Sequence, residues 1–413
     1  MRLFGAVLVL AVIAGLCFPL HAQSSAHEKS ACDVVLSWDN TGDFGPQTPN
    51  TKTSGWQEAI DYCVANAHDL YVKGGWGGRK PIYNISVPIH IPATQDFRIN
   101  GGVYVMNWTG PAGDPSQDLL VIDSVMNGEF HFGILVYGGA GAAMRIKPEK
   151  PVPIDNFTVM VETEITSQGM ADPAPFTPGE RKAGSGLVLD ATKAPIVSSR
   201  FDFIGGILNF KTCVDIQGNF TQNHFQCLHL HTNADKSHLL ALGPESSQNV
   251  FQLTIGVDQG ASEVTGLDIF GFNNKFAIMT RGGFPKTRDI ILEEKASGNH
   301  IELMHGKKDG FDPADFITDN ASTPTNHLKW IGPAPAPIKI AAPAGTFTHI
   351  QRLYPAIARV TSSADAKFNV IRDNSGQQYP ALPSTDILLR VGDQLQIGSS
   401  APSEIILACM ALD

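Results

Sequence analysis

Residues 223–231 read NHFQCLHLH, and an asparagine followed by alternating apolar residues returns at 249–256 (NVFQLTIG), 274–281 (NKFAIMTR) and 299–305 (NHIELMH). The four asparagines stand 26, 25 and 25 residues apart. A repeat of this length indicates a solenoid in which each circuit of the chain stacks on the one before it. Strands stacked at about 4.8 Å place equivalent residues in columns, and asparagines in a column can hydrogen-bond along the stack. The repeat therefore predicts a parallel β-helix with an asparagine ladder at one corner.

A second apolar strand lies midway through each repeat, at 214–216, 238–242, 266–270 and 289–292. The segments between strands are rich in Gly, Ser and Asn, which favour turns. Each circuit of the solenoid, called a rung below, therefore holds at least two strands joined by tight corners. The predicted fold class is all-β.

A helix is predicted on the N-terminal side of the repeats. Ser54 can cap it, and an apolar face runs from Trp56 to Cys63. Residues 81–92 (PIYNISVPIHIP) and 97–104 (FRINGGVY) follow it. This arrangement resembles the N-terminal cap and first rung of pectin-lyase-like proteins. The resemblance implies a right-handed parallel β-helix whose open end is shielded by the helix.

The chain changes character after residue 330. Residues 333–338 (PAPAPI) predict an extended linker, and short alternating strands separated by turns follow it. The run at 389–397 (LRVGDQLQI), with Ser-Ala-Pro at 400–402, resembles small β-modules at the C-termini of phage tail fibres and tailspike-like proteins. It departs from that pattern at Val391, where proline is favoured. The resemblance implies a β-sandwich accessory module and a homotrimer.

The first residues have the features of a secretory signal. Arg2 supplies the positive start, an apolar run extends from Leu3 to Leu16, and Ala22 offers a small residue for cleavage. No later run approaches the roughly 20 apolar residues that a membrane span needs. We therefore expect a secreted protein, extracellular or periplasmic. The expected parts are a signal peptide (1–22), a loose leader (23–53), a β-helix with its cap (54–330), a Pro/Ala-rich linker (331–350) and a C-terminal β-module (351–413).

The charge balance narrows the choice of partners. The chain has 30 Lys and Arg against 40 Asp and Glu, and removal of Arg2 with the signal leaves 29 against 40, a net charge of −11. Coulomb repulsion then disfavours nucleic acid and anionic membrane surfaces as partners. The resemblance to pectin-lyase-like β-helix proteins implies a polysaccharide as the partner.

The function implied by this scaffold has to be argued from a site, because fold alone does not give function. The Asp-Asp pair and Gly-His-Gly of polygalacturonase-like hydrolases are absent from the sequence, as are the Trp-Ile-Asp-His and Arg-x-Pro-x-x-Arg runs of pectate lyases. The leading hypothesis is a secreted polysaccharide lyase or glycoside hydrolase with a groove on the flank of residues 224–305. The alternative is a non-catalytic carbohydrate-binding, adhesion or tailspike-like structural protein, so the sequence leaves open whether the chain is an enzyme.

The strand register selects the candidate site residues. If Phe225 and its equivalents point inward, the residues next to them point outward. Asp258 and Arg281 would then lie at similar positions on consecutive rungs, as a base and a cation. His229 and His231 form a His-x-His pair that can bind a metal if Asp235 or Asp258 joins it, or it can supply a histidine that acts as acid or base. The predicted catalytic residues are Asp258, Arg281, His231 and Asp235, and the predicted substrate-binding residues are Glu302, Gln252 and Trp108.

Two details of this register are open to test. His229 falls on the Phe225 side of its strand, with His231 turning outward at the corner. Asp215 and Asp268 occupy matching places in the second strand, with Leu240 expected between them. Carboxylates in a column can bind calcium or raise each other's pKa, but solvated strand faces explain these two better. No metal site and no specific cofactor are predicted.

Overall fold

The computed structural model describes residues 33–75, 80–149, 152–167, 184–232, 234, 236–257, 263–281, 289–305, 316–331, 337–361, 366–372, 375–379 and 384–409. The predicted signal peptide lies outside these residues. Within them, no helix has the length and apolar character required to cross a membrane.

The N-terminal segment holds one helix and three strands: β1 (Val34–Ser37), α1 (Trp56–Asn66), β2 (Leu70–Lys73) and β3 (Ile82–Ile85). The predicted helix is confirmed, but its cap differs. Gly55, with φ of 89°, is the N-cap residue and provides no side-chain cap. Ser54 has a left-handed backbone and donates instead to the Asn84 carbonyl oxygen at 2.8 Å. Thr53 Oγ1 accepts the Gln57 N–H at 3.0 Å, so a threonine satisfies the donor that Ser54 was expected to satisfy.

The stack begins earlier in the chain than the sequence indicates. Strand β1 lies inside residues 23–53, the range expected as a loose leader, and pairs in parallel with β2. Its Leu36 is fully buried. α1 covers this end of the core: Trp56 is fully buried and packs against Tyr83 and Tyr104 with ring centroids 5.9 and 5.4 Å away.

Strands β4 to β26 form the body of the solenoid. In chain order they are β4 (Ile89–Ile91), β5 (Thr94–Gln95), β6 (Arg98–Gly101), β7 (Val105–Trp108), β8 (Leu120–Ile122), β9 (Val125–Met126), β10 (Glu129–Val136), β11 (Ala142–Ile146), β12 (Ile154–Asp155), β13 (Thr158–Thr166), β14 (Ser185–Val197), β15 (Arg200–Phe203), β16 (Ile207–Leu208), β17 (Thr212–Thr221), β18 (His224–Thr232), β19 (His238–Leu242), β20 (Val250–Val257), β21 (Thr265–Ile269), β22 (Lys275–Arg281), β23 (Ile290–Leu292), β24 (His300–His305), β25 (Ile317–Asp319) and β26 (His327–Ile331).

These strands form two parallel sheets between which the chain alternates. Sheet 1 has the order β1-β2-β6-β10-β13-β15-β18-β20-β22-β24-β26, with β3, β7 and β16 attached. Sheet 2 has the order β25-β23-β21-β19-β17-β14-β11-β8-β4, with β5, β9 and β12 attached. Each pass through sheet 2 leads to the adjacent pass through sheet 1. The predicted parallel β-helix is thereby confirmed.

The asparagine ladder is present at the corner between the sheets. Asn223 Nδ2 donates to Asn249 Oδ1 at 3.2 Å, Asn249 to Asn274 at 2.9 Å, and Asn274 to Asn299 at 3.2 Å. Asn326 extends the ladder by one rung, at 3.0 Å from Asn299. All five are buried. Because each amide also accepts a backbone N–H from the rung before it, the ladder fixes the register between successive rungs.

The C-terminal β-module is also confirmed. Its strands are β27 (Ile338–Ala342), β28 (Gly345–Ile350), β29 (Ala356–Thr361), β30 (Lys367–Arg372), β31 (Ser375–Tyr379), β32 (Ser384–Leu389), β33 (Gln394–Ser399) and β34 (Ser403–Cys409). They form two antiparallel four-stranded sheets, β27-β34-β29-β32 and β28-β33-β30-β31. Strands β27 and β28 fall within residues 331–350, which the sequence analysis assigns to a linker. From residue 337 to residue 350 the chain is therefore part of the module.

Candidate functional site

The outer face of sheet 1 carries two of the predicted substrate-binding residues in one column. Gln252 pairs with Ala277, and Ala277 with Glu302, in the registers of β20, β22 and β24. Gln252 and Glu302 are both exposed. Their outward orientation agrees with the predicted register, and Ala277 leaves the space between them open.

A β-bulge changes the predicted orientation of the histidines on β18. The pairing of β18 with β20 shifts between Cys227 and Leu230, so one extra residue stands on β18. His229 and His231 are partly exposed, whereas Leu230 between them is buried. The prediction that His229 lies on the inward side is therefore wrong, because the extra residue at the bulge reverses the alternation.

His231 and Arg281 belong to one column of sheet 1. His231 pairs with Gly256, and Gly256 pairs with Arg281 at the end of β22. A small cavity of about 200 Å³ lies at His231 and Gly256. Asp258 and Asp235, the two predicted carboxylates of this site, lie outside the described residues.

Trp108 does not offer a ring face for sugar stacking. Only 8 % of its surface is exposed, and its ring lies 5.5 Å from that of Tyr137. Its Nε1 donates to the Pro111 carbonyl oxygen at 3.4 Å. The Trp108 side chain packs on the buried core, and its role in substrate binding stays a prediction.

The outer face of sheet 2 carries a more distinctive arrangement, in which two aspartates flank a small residue. Asp215 pairs with Ala241, and Ala241 pairs with Asp268. The expectation that Leu240 stands between the aspartates is wrong, because Leu239 and Leu240 are both fully buried and Ala241 takes the outward place. Two rung spacings separate the aspartates, which corresponds to about 9–10 Å between their Cα atoms.

A second column repeats this pattern two residues further along each strand. Gly243 donates its N–H to the Ile216 carbonyl oxygen, and Phe270 donates to that of Leu242, so Gln217, Gly243 and Phe270 follow one another in the stack. Ala241 and Gly243 are small, and the residues before and after them in the two columns are larger. The rung of Ala241 and Gly243 therefore forms a depression in the outer surface of sheet 2, and it is called the low rung below.

The low rung opens into a cleft of about 510 Å³. Asp215 and Gln217 line one side, Pro244 stands at one end, and Phe270 and Glu293 line the other side. Asp268 adjoins the cleft, since it neighbours Ala241 in its column. Phe270 is 37 % exposed, which leaves apolar ring surface next to the carboxylates.

Burial and a neighbouring carboxylate make Asp268 a weak acid. Desolvation, followed by repulsion from Glu293 and a hydrogen bond shared with it, raises the pKa of Asp268 to about 6. Its Oδ1 is buried without a hydrogen-bond partner among the described residues. Desolvation also raises the pKa of Asp215, although Gln217 Nε2 donates to its Oδ2 at 2.6 Å. Two carboxyl groups with raised pKa values therefore stand on the two rungs that flank Ala241.

His238 lies at the start of the low rung and near both aspartates. Its Nδ1 is 3.9 Å from Asp268 Oδ2, which is too long for a hydrogen bond. Desolvation lowers the pKa of His238 more than the nearby Asp215 raises it. The imidazole is consequently neutral near pH 7, so it does not counter the charge of either carboxylate.

The cleft contains little positive charge. Lys295 is its basic lining residue among the described residues, against Asp215, Glu293 and Glu294. The described residues contain no group of three or more His, Cys, Asp or Glu side chains arranged to hold a metal ion. The chemistry that this cleft supports is acid–base chemistry by carboxyl groups.

The sequence contained one signal for this cleft, the matching positions of Asp215 and Asp268. It did not reveal Ala241 and Gly243 as the low rung, nor Glu293 as the neighbour of Asp268. These relations depend on how successive rungs align, and the two consecutive buried leucines shift that alignment by one residue.

No protein-family model and no curated protein matches the chain. Among solved structures, the chain is similar to the enzymatically active domain of tailspike protein 4 of bacteriophage CBA120, with 10 % identity and a TM-score of 0.39 over 88 % of this chain and 67 % of that chain. It is also similar to the Dettilon tailspike protein (10 %, TM-score 0.30, 90 % and 94 % covered) and to the Acinetobacter phage vB_ApiP_P1 tailspike protein (9 %, TM-score 0.31, 91 % and 87 % covered). These TM-scores lie below 0.5, so neither the fold assignment nor the function proposed below depends on them.

Proposed function

We propose that this protein is a glycoside hydrolase that cleaves an extracellular polysaccharide in the cleft of sheet 2. The observation that carries the proposal is the pair of carboxyl groups with raised pKa values, Asp215 and Asp268, on either side of Ala241. Glycoside hydrolysis requires two carboxyl groups that flank the scissile bond. Asp268 is the general acid, because its pKa of about 6 keeps it protonated under mildly acidic conditions.

The spacing of the two aspartates favours inversion of the anomeric centre. Inverting enzymes separate their carboxyl groups by about 6.5–9.5 Å to leave room for the attacking water. Side chains in one column of a parallel sheet stand side by side, so the carboxyl groups of Asp215 and Asp268 should be separated about as far as their Cα atoms, about 9–10 Å, at the upper end of this range. Asp215 would then act as the base that activates the water.

The charge of the cleft favours hydrolysis over β-elimination. A lyase must stabilise a uronate carboxylate with a cation or an arginine while a base removes the adjacent proton. In the described residues the cleft is lined by three acidic side chains and by Lys295. A neutral glycan avoids the repulsion that a polyanion would meet there.

The test is a depolymerisation screen of the full chain, with reducing ends and unsaturated products measured in parallel. Asp268→Asn and Asp215→Asn should each lower kcat/KM by at least about 100-fold, in line with the loss of a general acid or base. Asp386→Asn, a change to an exposed carboxylate on the C-terminal module, is the matched control and should retain activity. New reducing ends without ultraviolet absorption would identify hydrolysis, and full activity of Asp268→Asn would refute the proposal.

A second candidate is a lyase site on sheet 1, built from the residues that the sequence selected. The shared backbone column of His231 and Arg281, with Gly256 between them, supports it, since a lyase needs a cation that neutralises the substrate carboxylate and a group that removes the adjacent proton. Asp258 or Asp235 would be its base, and Gln252 and Glu302 would contact substrate. Unsaturated products, with activity lost in Arg281→Ala but kept in Asp215→Ala, would select this site.

Export and assembly belong to the same proposal. The signal-like residues 1–22 support secretion, and the appearance of a chain that begins at Gln23 in the medium would verify it.

A homotrimer is supported by apolar surface on the module, where the cross-strand neighbours Ile357 and Leu388 are 38 % and 46 % exposed. Light scattering that gives the mass of a monomer would remove the trimer. Glycan binding without product release would instead indicate the non-catalytic alternative.

A further inference from the structure

The corner next to the cleft contains a notch because one rung lacks a turn. In the rung before it, Pro244 and Glu245 form a two-residue turn, closed by the Ser246 N–H on the Gly243 carbonyl oxygen at 3.2 Å. In the rung after it, Glu294 and Lys295 form the equivalent turn. The rung between them passes directly from Phe270 through one glycine to Phe272.

The asparagine ladder proves that these rungs are aligned at the corner. Asn274 Nδ2 donates to the Ser246 carbonyl oxygen and Asn299 Nδ2 donates to that of Gly271, so Ser246 and Gly271 are equivalent positions. A Cβ atom at Gly271 would lie 2.4 Å from the Ser246 carbonyl oxygen. The close approach of the two backbones requires glycine, and the segment from Phe270 to Phe272 is the floor of a gap between two protruding turns.

Two phenylalanines are exposed at the two ends of this notch. Phe270 faces the cleft and is 37 % exposed, and Phe272 lies past the corner and is 38 % exposed. Phe272 pairs with Ser247 and Ser297 on its two sides, and these are small residues that leave its ring accessible.

The charges around the notch restrict the class of ligand. Glu245 and Glu294 stand on the flanking turns and Glu293 and Asp268 lie at the cleft, against Lys295. An anionic sugar would be repelled there, whereas the C–H face of a neutral pyranose can pack on an exposed aromatic ring. The aromatic surface and the acidic surroundings together select a neutral glycan.

We propose that Phe272 forms a second sugar-binding subsite, and that a neutral polysaccharide runs from the cleft through the notch, crossing the solenoid along the strand direction. The inference rests on the proposed function, because it extends the substrate of the same cleft. A chain bound in this way places one sugar on Phe270 beside the carboxyl groups and a later sugar on Phe272. The cleft alone binds short glycans, and Phe272 contributes only to the binding of longer ones.

The experiment measures binding by calorimetry to the full chain carrying Asp268→Asn, so that ligands are not hydrolysed. The probes are di- and hexasaccharides of the cello, xylo, manno, laminari and malto series. Phe272→Ala should weaken hexasaccharide binding about tenfold or more and leave disaccharide binding unchanged, while Phe272→Trp should retain both. Insertion of Pro-Glu between Phe270 and Gly271 rebuilds the missing turn and should also weaken hexasaccharide binding alone. Tyr62→Ala, which removes a 47 % exposed ring on α1, is the control.

Several outcomes would overturn the subsite. These are the absence of binding for every probe, unchanged hexasaccharide binding in Phe272→Ala, and equal losses for both ligand lengths. The proposed function fails separately, if the wild-type chain binds these glycans but releases no reducing ends, or if Asp268→Asn hydrolyses them normally. The effect of Phe272→Ala on hexasaccharide binding therefore decides the subsite, and hydrolysis by the wild-type chain decides the reaction.

Discussion

The surroundings of Asp268 disfavour the ionised form of its carboxyl group. It is largely withdrawn from water, with 17 % of its side chain exposed, and Glu293 repels its carboxylate. The nearby His238 is kept neutral by burial and cannot compensate. An ionised Asp268 therefore reduces stability, in agreement with the general-acid role that we propose for it.

The first prediction concerns this stability cost. The pKa of Asp268 is about 6 in the folded chain and about 3.9 in the unfolded chain. Below pH 3.9 both states are protonated, so the cost is absent. Between pH 3.9 and 6 the unfolded state loses its proton first, so stability falls as pH rises, and the cost is constant above pH 6. Asp268→Asn should raise the free energy of unfolding at pH 8 by about 1–2 kcal/mol and change it little at pH 3.5.

Urea unfolding at the two pH values measures this difference. Asp386→Asn is the control with the opposite sign, since Arg359 lowers the pKa of Asp386 by a hydrogen bond; this variant should not gain stability at pH 8. An Asp268→Asn chain that is less stable than wild type at pH 8 would contradict the raised pKa.

The second prediction is the pH dependence of the reaction. A general acid must be protonated, so kcat/KM should fall about tenfold per pH unit above the pKa of Asp268, which is about 6. Glu293→Gln removes the repelling carboxylate and should move this limb of the profile to lower pH. Steady-state rates from pH 4 to 8 test it, and a limb at the same pH in both chains would exclude Asp268 as the acid.

The sequence predicts the orientation of side chains that follow the repeat, but not of those that depart from it. The inward phenylalanines and the buried asparagines were predictable, because each repeats at a fixed distance from the same corner. The site was not, since it depends on local departures from the repeat. The bulge after Cys227 turns His229 outward, and the two buried leucines before Ala241 shift the aspartate column by one residue. Periodicity cannot reveal either departure.

At the scale of elements, the asparagine ladder joins the two sheets into one unit. Each amide satisfies backbone and side-chain groups of both neighbouring rungs, as Asn274 does. Its Oδ1 accepts from the N–H and Nδ2 of Asn249 at 3.1 and 2.9 Å, and its Nδ2 donates to Ser246 and Asn299 at 3.2 Å. A buried polar column is stable only when every member is paired.

The third prediction follows from that pairing. Asn274→Ala removes an acceptor and a donor from a site with no exposed surface, and leaves buried groups of two neighbouring rungs unsatisfied. The free energy of unfolding should fall by about 2–4 kcal/mol. Gln252→Ala, an exposed change on β20, should stay within about 0.5 kcal/mol of wild type. Equal unfolding midpoints in urea for the two variants would show that the ladder contributes nothing.

At the scale of the whole molecule, a solenoid must protect both of its ends, because a terminal rung exposes unpaired backbone groups. α1 covers the N-terminal end, where Trp56 packs into the core. The C-terminal module covers the other end. There Leu328 donates its N–H to the Leu353 carbonyl oxygen, and Leu353 and Tyr354 belong to the same buried core as the rungs. The sequence predicted the module but not this contact, since the Pro/Ala-rich segment suggested a linker.

The last prediction tests whether the module stabilises the stack. Arg352 Nη1 lies 3.3 Å from Asp319 Oδ2 and donates to the Ala321 carbonyl oxygen at 2.8 Å, which joins the module to the last rungs. Asp319 is only 8 % exposed, so Arg352→Ala leaves a shielded carboxylate without its cation and should cost about 1–3 kcal/mol.

The matched control is Arg359→Ala, which breaks an exposed Arg359–Asp386 pair within the module and should have a small effect, as surface ion pairs generally do. Calorimetry of the full chain separates two cases. If the module caps the stack, Arg352→Ala lowers the main transition more than Arg359→Ala does, or splits it into separate transitions of module and stack. Equal shifts in the two variants would mean that the contact is incidental and that the last rung is stable without the module.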